Sequence, residues 1–424
     1  MQGFTEVMIS GHVPRMDDYR KLELGLIDRL SSLAGDLRGK TIIHINATAQ
    51  GGGVAEILMS QVPLERELGL NSRWFTINVP EEFFVVTKKI HNLLQGQKGS
   101  LADEEKDLYL KVNEGLGASF SFLDDVKEGI VVFHDPQPMA AVVHLPDRFI
   151  PISRVHMDLS TPNQEAVDFL RPFLEKYHKV IISSGAYRAA FPWLEDSKFQ
   201  IVTPAIDPFS NKNKRMEPEE ANKILAGLEV NIDKPIVSQV SRFDPWKDPL
   251  GTINAYYMAK NQIPDLQLIL AGIMQASDDP EAKELFKKVD KHAEGDPDIF
   301  LFSRLDQLGD VPDDVFINAV QTASDLILQM SIREGFGLTV TEAMWKGKTV
   351  VARHAVGTDM QIDHGKNGFL VSSPLEAAGM VIELIKNPVE CHKLGLAARK
   401  SVSEKFLIPK MLMDHLEIYK VISG

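Results

Sequence analysis

The chain has 424 residues, 44% hydrophobic and 25% charged, and its 46 Lys and Arg against 59 Asp and Glu give a net charge of −13. This length allows two or three large cores and excludes a single small module, while the composition excludes extended disorder as the main state. A pI near 5.4 with no basic block argues against a nucleic-acid ligand and leaves small anions held in a local pocket. The longest apolar runs, such as residues 268–274, fall far short of the roughly 20 residues that span a bilayer, so no membrane partner is expected. The lone Cys391 cannot form an intrachain disulfide, which fits a reducing compartment. Asp17, Asp18 and Glu23 interrupt the N-terminal region, which does not read as a secretory signal, so a cytoplasmic location is expected.

Residues 1–39 precede the regular pattern and are expected to form a helical arm on the first domain. From residue 40, short β-rich runs alternate with longer amphipathic ones, the pattern of parallel sheets wrapped by helices. The class is α/β. Strands are predicted over residues 41–46, 72–78, 130–133, 152–156, 179–183 and 199–202, and Pro162 behind a Thr161 cap predicts a helix towards Tyr177. The polar stretch 210–220 reads as a linker. The pattern then restarts, with strands predicted over 235–243, 266–273, 299–305, 326–330, 349–352 and 369–371. Two doubly wound, Rossmann-like domains result, over residues 40–215 and 216–404. A helix over 405–424 closes the chain and is expected to pack back on the first domain. In such sheets ligands sit outside the carboxyl ends of the strands, so the strand-end loops of two facing domains would line a cleft.

In the first domain, Gly51, Gly52 and Gly53 lie between a strand and a helix, where exposed amides and the helix N-terminus suit an anion. A dinucleotide fingerprint is not supported, because Glu56 stands where its last glycine belongs. Gly347-Lys348-Thr349 has Glu342 where a P-loop has its first glycine. His134-Asp135-Pro136-Gln137-Pro138 places Asp135 and Gln137 on a rigid loop suited to hydroxyls, and His156 and Asp158 follow the next strand. Each of these also reads as a turn or a cap when taken alone. The H-E-x-x-H and paired C-x-x-C patterns of metal sites are absent.

The second domain is more specific. Its first strand runs into Ser241-Arg242-Phe243-Asp244-Pro245-Trp246-Lys247, where a forked guanidinium and a compact ammonium suit a diphosphate that gains charge as it departs. Further on, Arg333-Glu334-Gly335-Phe336-Gly337-Leu338-Thr339-Val340-Thr341-Glu342 opens a helix, with exposed amides and two carboxylates that can accept hydrogen bonds from diols.

With the Gly-rich turn, the Arg242 and Lys247 pair and the E-x7-E spacing of Glu334 and Glu342, the chain from about residue 40 resembles retaining glycosyltransferases of the GT-B fold, family four. Within that family the strings His44-Ile45-Asn46-Ala47-Thr48, His134-Asp135-Pro136-Gln137-Pro138 and Gln329-Met330-Ser331-Ile332-Arg333-Glu334 are similar to the trehalose glycosyltransferring synthases. The resemblance implies glucose transfer from a nucleoside diphosphate glucose, UDP- or ADP-glucose, to free glucose, giving α,α-trehalose with retention. It further implies that Arg242 and Lys247 hold the diphosphate, Glu342 the ribose and Glu334 the donor sugar hydroxyls. Gly52, Gly53 and the amides of Gly335, Phe336, Gly337 and Leu338 assist on the donor side. His156 is the implied active-site histidine, while Asp135, Gln137 and Asp158 border the acceptor. No cofactor or metal is required, although metal stimulation and a homodimer stay open. Gly357-Thr358 departs from a Gly-Gly pair common in related chains. The alternatives are a retaining trehalose phosphorylase using glucose 1-phosphate and a non-catalytic sugar-nucleotide sensor. Retention can arise by same-face attack or through a covalent carboxylate, and the lack of a convincing nucleophile favours the first.

Overall fold

Both halves of the chain are built on a parallel sheet whose strands are apolar on two faces, as burial between helix layers demands. The computed structural model describes residues 2–10, 13–22, 25–273 and 280–423. The first sheet contains β1 Gly3–Glu6, β2 Thr41–Asn46, β3 Asn71–Asn78, β4 Gly129–His134, β5 Phe149–Arg154, β6 Lys179–Ile182 and β7 Phe199–Ile201. The second contains β8 Ile236–Val240, β9 Gln267–Ala271, β10 Ile299–Phe302, β11 Leu326–Gln329, β12 Val350–Arg353 and β13 Phe369–Val371. Their spatial orders are β1-β3-β2-β4-β5-β6-β7 and β10-β9-β8-β11-β12-β13. β1 runs antiparallel to β3, and the other described pairings are parallel. The expected α/β class is thus the class observed.

Period-two alternation explains why both faces of the second sheet are covered. Along β9, Leu268 and Leu270 join a core with Ile253, Tyr256, Val381 and Leu384 from helices Pro249–Lys260 and Pro374–Lys386. The intervening Ile269 and Ala271 join a separate core with Leu225, Phe316 and Val320 from helices Pro218–Ala226 and Asp313–Ala323. Strand order reverses between β8 and β11 in this sheet and between β2 and β4 in the first. Loops diverge at such points, which makes the carboxyl ends of these four strands the places to look for ligand chemistry.

The boundaries differ from those expected. The chain divides into one compact unit of residues Met1–Ala205 with Ile408–Gly424, and a second of Ile206–Leu407. Residues 210–220 are therefore part of the second unit rather than a linker between two domains. The side-chain amide of Asn318 donates to the carbonyls of Asn211 and Lys214, and the Trp345 indole donates to that of Asn213, which fixes this polar stretch on its own unit. The chain enters and leaves the second unit along one line, where Ile206 bridges Leu407 and its amide donates to the Phe406 carbonyl at 3.0 Å.

The first 39 residues are more than a helical arm. Besides helices Met16–Arg20 and Ile27–Asp36 they contribute β1, whose Glu6 receives a two-pronged Arg73 at 2.9 and 2.7 Å. Parts of the expected arm, at 1, 11, 12, 23 and 24, lie outside the described residues, as does residue 424 at the end of the closing helix. The predicted helix near Thr161 begins later, at Gln164, because the Asn163 side chain caps it by accepting from the Ala166 amide. The closing helix, Ile408–Ser423, belongs to the first unit, where Leu412, Leu416 and Tyr419 are fully buried and Arg29–Glu417 and Lys420–Asp36 pair at 2.6 Å.

Because Leu416 fills the first unit's interior, Leu416→Ala should cost about 2–5 kcal/mol. Hydrogen exchange read by mass spectrometry should show protection falling in peptides of residues 1–205, with peptides of 206–407 unchanged. An even loss across both sets would contradict the assignment of this helix to the first unit.

Candidate functional site

At the switch point of the second sheet, a buried glutamine organises the loops. Gln239, next to last in β8, accepts at Oε1 from the Met330 amide at 2.9 Å and the Thr252 hydroxyl at 2.8 Å. Its Nε2 donates to the Lys247 carbonyl at 2.9 Å. The amide of Ile332 adds a 2.7 Å bond to the Trp246 carbonyl. The loop after β8 is thereby tied to the loop after β11, and both carry the expected charged groups.

Within this arrangement Lys247 Nζ meets Glu334 Oε2 at 2.6 Å, and the Ser331 hydroxyl donates to the same oxygen at 3.0 Å. Glu334 is buried and Lys247 is largely so. Arg242 differs, since its side chain is 58% exposed and its contact with Asp244 is a long 3.3 Å. The guanidinium can therefore swing to an incoming anion by giving up one long contact, the buried Asp244 keeping its own bond from the Trp246 amide. Asp244 is held by accepting from the Trp246 amide at 3.0 Å.

Glycine supplies the shape of the second loop. Gly337 has φ +89° and directly precedes helix Leu338–Trp345, and a Cβ there would stand 3.0 Å from Glu334 Cγ. A Cβ on Gly357 would stand 2.6 Å from the Phe336 backbone nitrogen, and the Gly357 amide donates to the Glu334 carbonyl at 3.0 Å. Gly357 thus presses the Glu334–Gly337 turn into place. Thr358, the departure noted in the sequence, sits buried and spends its hydroxyl on the Arg353 carbonyl at 2.7 Å. The second glycine of the usual pair is not needed for that contact.

Glu342 lies inside the helix, fully buried, with Lys212 Nζ 3.5 Å away. Lys346 lies one turn on, donating to Gln321 at 2.9 Å, and burial pulls its ammonium down to about 7 against the opposing pull of Glu342. The two carboxylates of the E-x7-E pattern thus sit in different settings, Glu334 on the loop with Lys247 and Glu342 beneath it with Lys212.

In the first unit, the switch-point loops are Gly51–Gly53 after β2 and Asp135–Pro138 after β4. Gly51 has φ +82°, and Gly52 and Gly53 are exposed at the start of helix Gly53–Glu67. Asp135, at φ 61°, accepts from the His156 amide at 2.8 Å, and burial pushes its carboxyl up to about 6. The His156 ring meets His134 through Nε2 at 2.9 Å. Gln137 is partly buried on the same loop, its carbonyl held by Asn113 at 3.2 Å. Asp158 is buried and turned to its own loop, accepting from the Ser160 amide at 2.7 Å. The first unit thus carries Asp135 and Gln137 at its switch point with His156 and Asp158 after the neighbouring β5, and the second carries Arg242, Lys247 and Glu334 on its switch-point loops with Glu342 in the helix that follows.

Residues 44–189 match the family model described as trehalose synthase, N-terminal domain, and residues 221–401 match glycosyl transferases group 1. Over 413 residues the chain is 42% identical to a trehalose synthase of Pyrococcus horikoshii, covering 97% of each chain. The chain belongs to the trehalose synthase family of glycosyltransferases. A trehalose synthase of Rubrobacter xylanophilus is 40% identical over 96% of this chain and 97% of its own. Among solved structures, an α,α-trehalose-phosphate synthase (UDP-forming) from Burkholderia vietnamiensis shares the GT-B fold, with a TM-score of 0.70 at 13% identity over 91% of this chain and 98% of that one. The protein is accordingly an enzyme of trehalose-related glycosyl transfer. Among the described residues no helix is long and apolar enough to cross a membrane.

The motif reading singled out the charged groups and missed those that hold them. Gln239, Ser331 and Gly357 each make a contact on which the placement of Lys247 or Glu334 depends. A large side-chain amide inside a short β-rich run, Gln239 in Ile236–Val240, is the signal that could have found the first. Gly357 is marked only by the Gly357-Thr358 departure, since its contact with Phe336, distant in sequence, leaves no local pattern.

The two cations should separate on stability. Lys247→Ala strips a buried carboxylate of its ammonium and should cost the second unit about 1–3 kcal/mol, whereas Arg242→Ala should stay within about 0.5 kcal/mol. Urea unfolding monitored on 206–407 peptides checks this, and equal destabilisation by the two variants would contradict the geometry.

Proposed function

We propose that this enzyme transfers glucose from a nucleoside diphosphate glucose to free glucose with retention, forming α,α-trehalose. The observation that carries this reading is the Lys247–Glu334 pair at the second sheet's switch point, with Arg242 exposed on the same loop as Lys247. Breaking the anomeric bond leaves an oxocarbenium-like sugar and a diphosphate that gains negative charge. Arg242 and Lys247 would therefore interact more strongly with the transition state than with the substrate, which is what accelerates a reaction. Lys247 also holds Glu334, and Glu334 would take donor sugar hydroxyls with help from the amides of Gly335, Phe336, Gly337 and Leu338.

Glu342 is assigned to the ribose, with the Lys212 side chain moving aside to admit it. On the first unit, His156 is assigned to the donor sugar, Gly52 and Gly53 to the donor side, and Asp135, Gln137 and Asp158 to the acceptor. Same-face attack, with the departing phosphate taking the acceptor's proton, accounts for retention without a protein nucleophile. No step is routed through a metal, and stimulation by a divalent cation is compatible with the scheme.

A free sugar as acceptor is supported by how the first unit's cations are employed. Arg154, one of the cations that could meet a phosphorylated acceptor, is 1% exposed and donates to the Val202 carbonyl at 2.7 Å. Lys89 is committed to Glu105 at 2.8 and 2.6 Å. Carboxylates such as Asp135 repel a phosphate dianion and suit neutral hydroxyls.

Radiolabelled glucose offered with UDP-glucose, ADP-glucose or glucose 1-phosphate should give trehalose with a nucleoside diphosphate glucose. Product from glucose 1-phosphate alone would make the protein a phosphorylase, and binding without product a sensor. A higher specificity constant for glucose 6-phosphate than for glucose would overturn the acceptor. Arg242→Ala should lower kcat/KM roughly 100-fold or more at an unchanged melting temperature, and a near-normal rate would reject the leaving-group role.

A further inference from the structure

Beneath the first unit's switch point, three histidines and a glutamate form an unbroken line of which the proposed chemistry uses only His156. Glu65 Oε2 lies 3.0 Å from His44 Nε2, His44 Nδ1 lies 3.1 Å from His134 Nε2, and His134 Nδ1 lies 2.9 Å from His156 Nε2. Glu65 and His44 are fully buried, His134 is 2% exposed, and His156 is partly exposed at the end of the line. Four residues, from one helix, the interior of β2, the end of β4 and the loop after β5, are thus threaded by hydrogen bonds through both nitrogens of two consecutive rings.

Such a line has a direction, and its buried end sets it. Glu65 also accepts from the Ser72 hydroxyl at 2.6 Å and the Gln61 amide at 2.8 Å. Burial pushes its carboxyl up, but the His44 ring and these two donors outweigh that and hold it below the usual range. An ionised carboxylate offers only lone pairs, so His44 must give it the Nε2 proton. In a neutral ring this leaves Nδ1 bare, and His134 must then donate from Nε2. The same step repeated makes His156 donate from Nε2 and leaves its own Nδ1 bare. For His134 and His156 a neutral ring is what the surroundings favour, since burial, and after it the positive charges nearby that include Arg154, put both well below the ordinary histidine value, and with His44 neutral beside them the direction is fixed. The rings run in a line and do not converge, and no cluster that could hold a metal ion is found among the described residues.

We propose that Glu65, acting through His44 and His134, holds His156 as its Nε2–H tautomer, so that His156 Nδ1 accepts a hydrogen bond from a hydroxyl of the sugar undergoing transfer. The inference rests on the reading of His156 as a donor-sugar contact, and it makes Glu65, His44 and His134 positioning residues. A ring nitrogen in the opposite tautomer would present a proton instead, and a sugar hydroxyl would have to reverse its own hydrogen bonds to meet it.

The test begins with wild-type enzyme carrying 15N-histidine. Two-bond 1H–15N spectra near neutral pH, with the His156 signals assigned by their loss in His156→Asn, should show Nε2 protonated and Nδ1 bare. In Glu65→Gln the terminal amide can donate to His44 as well as accept from it, so the direction is no longer dictated. His156 should then show both tautomers, and kcat should fall roughly 10-fold. A wild-type His156 protonated on Nδ1, or a Glu65→Gln enzyme that keeps the single Nε2–H form, would overturn the inference, and the wild-type spectrum decides even if that variant does not fold. A His156→Asn enzyme with normal kcat would instead remove the sugar contact, and with it the donor-side reading of this residue. An Nδ1-protonated His156 in an enzyme that His156→Asn slows would remove the relay alone.

Discussion

A parallel sheet must return each strand by a crossover on one of its faces, and where successive crossovers change face the loops at the strand ends part. That constraint places the chemistry here. β8 and β11 are neighbours in space but not in sequence, with β9 and β10 laid on the far side. The two loops that leave them therefore approach from different parts of the chain, and residues 87 positions apart, Lys247 and Glu334, meet as an ion pair. The same geometry between β2 and β4 brings the Gly-rich turn and the Asp135 loop to one end of the first sheet.

Divergent loops are also loops without a ladder to hold them, so something else must fix their positions. In both units a buried polar side chain near a strand's end does so. Gln239 joins the β8 loop to Met330 at the end of β11 through a carbonyl and an amide that are both occupied. An unmade bond at either atom would cost about 1–3 kcal/mol in a site closed to water, and it is that penalty, more than the strength of each bond, that makes the position of Lys247 definite. Gly357 works by the opposite means. It permits the Phe336 backbone to come so near that any side chain would displace it.

Much of the fold was legible because period and punctuation agreed. β2 and β13 have the predicted bounds, 41–46 and 369–371, since each apolar run ends at polar residues or serines. β8 was drawn too long, to Phe243, because Ser241 and Arg242 do not break an extended pattern. The strand stops at Val240 where the loop turns to its tertiary contacts. β5 was started too late because Pro151 reads as an interruption. On the β6 side Pro151 only accepts, its carbonyl taking the His178 amide at 2.9 Å while strand pairing starts at Ile152, so the missing N–H leaves no ladder bond broken there. β1 was missed altogether, being four residues whose partner β3 lies some 70 positions away. The charged site residues were legible by type and spacing, but the contacts that hold them are tertiary and left no local pattern. The domain limits erred for a related reason, since polarity marks a linker only if the polar groups face water. Here the backbone carbonyls of Asn211, Asn213 and Lys214 accept from the Asn318 amide and the Trp345 indole, contacts that side-chain polarity does not report.

The histidine line carries the same reasoning into the first unit. Burying three imidazoles and a carboxylate is unfavourable unless each polar atom has a partner, and a solitary histidine at 134 would leave one ring nitrogen bare in an apolar interior. Adding His44 satisfies that nitrogen but creates another need, which Glu65 meets and which Ser72 and Gln61 complete. The chain of needs ends at the carboxylate because it accepts several donors at once. At the other end it stops at His156 Nδ1, the ring atom that the line does not engage. A fully apolar core in the same place would be simpler to stabilise, yet it would leave the His156 ring indifferent between its two tautomers. Direction in a row of hydrogen bonds requires one end that cannot reverse, and among these four side chains Glu65 alone has that property.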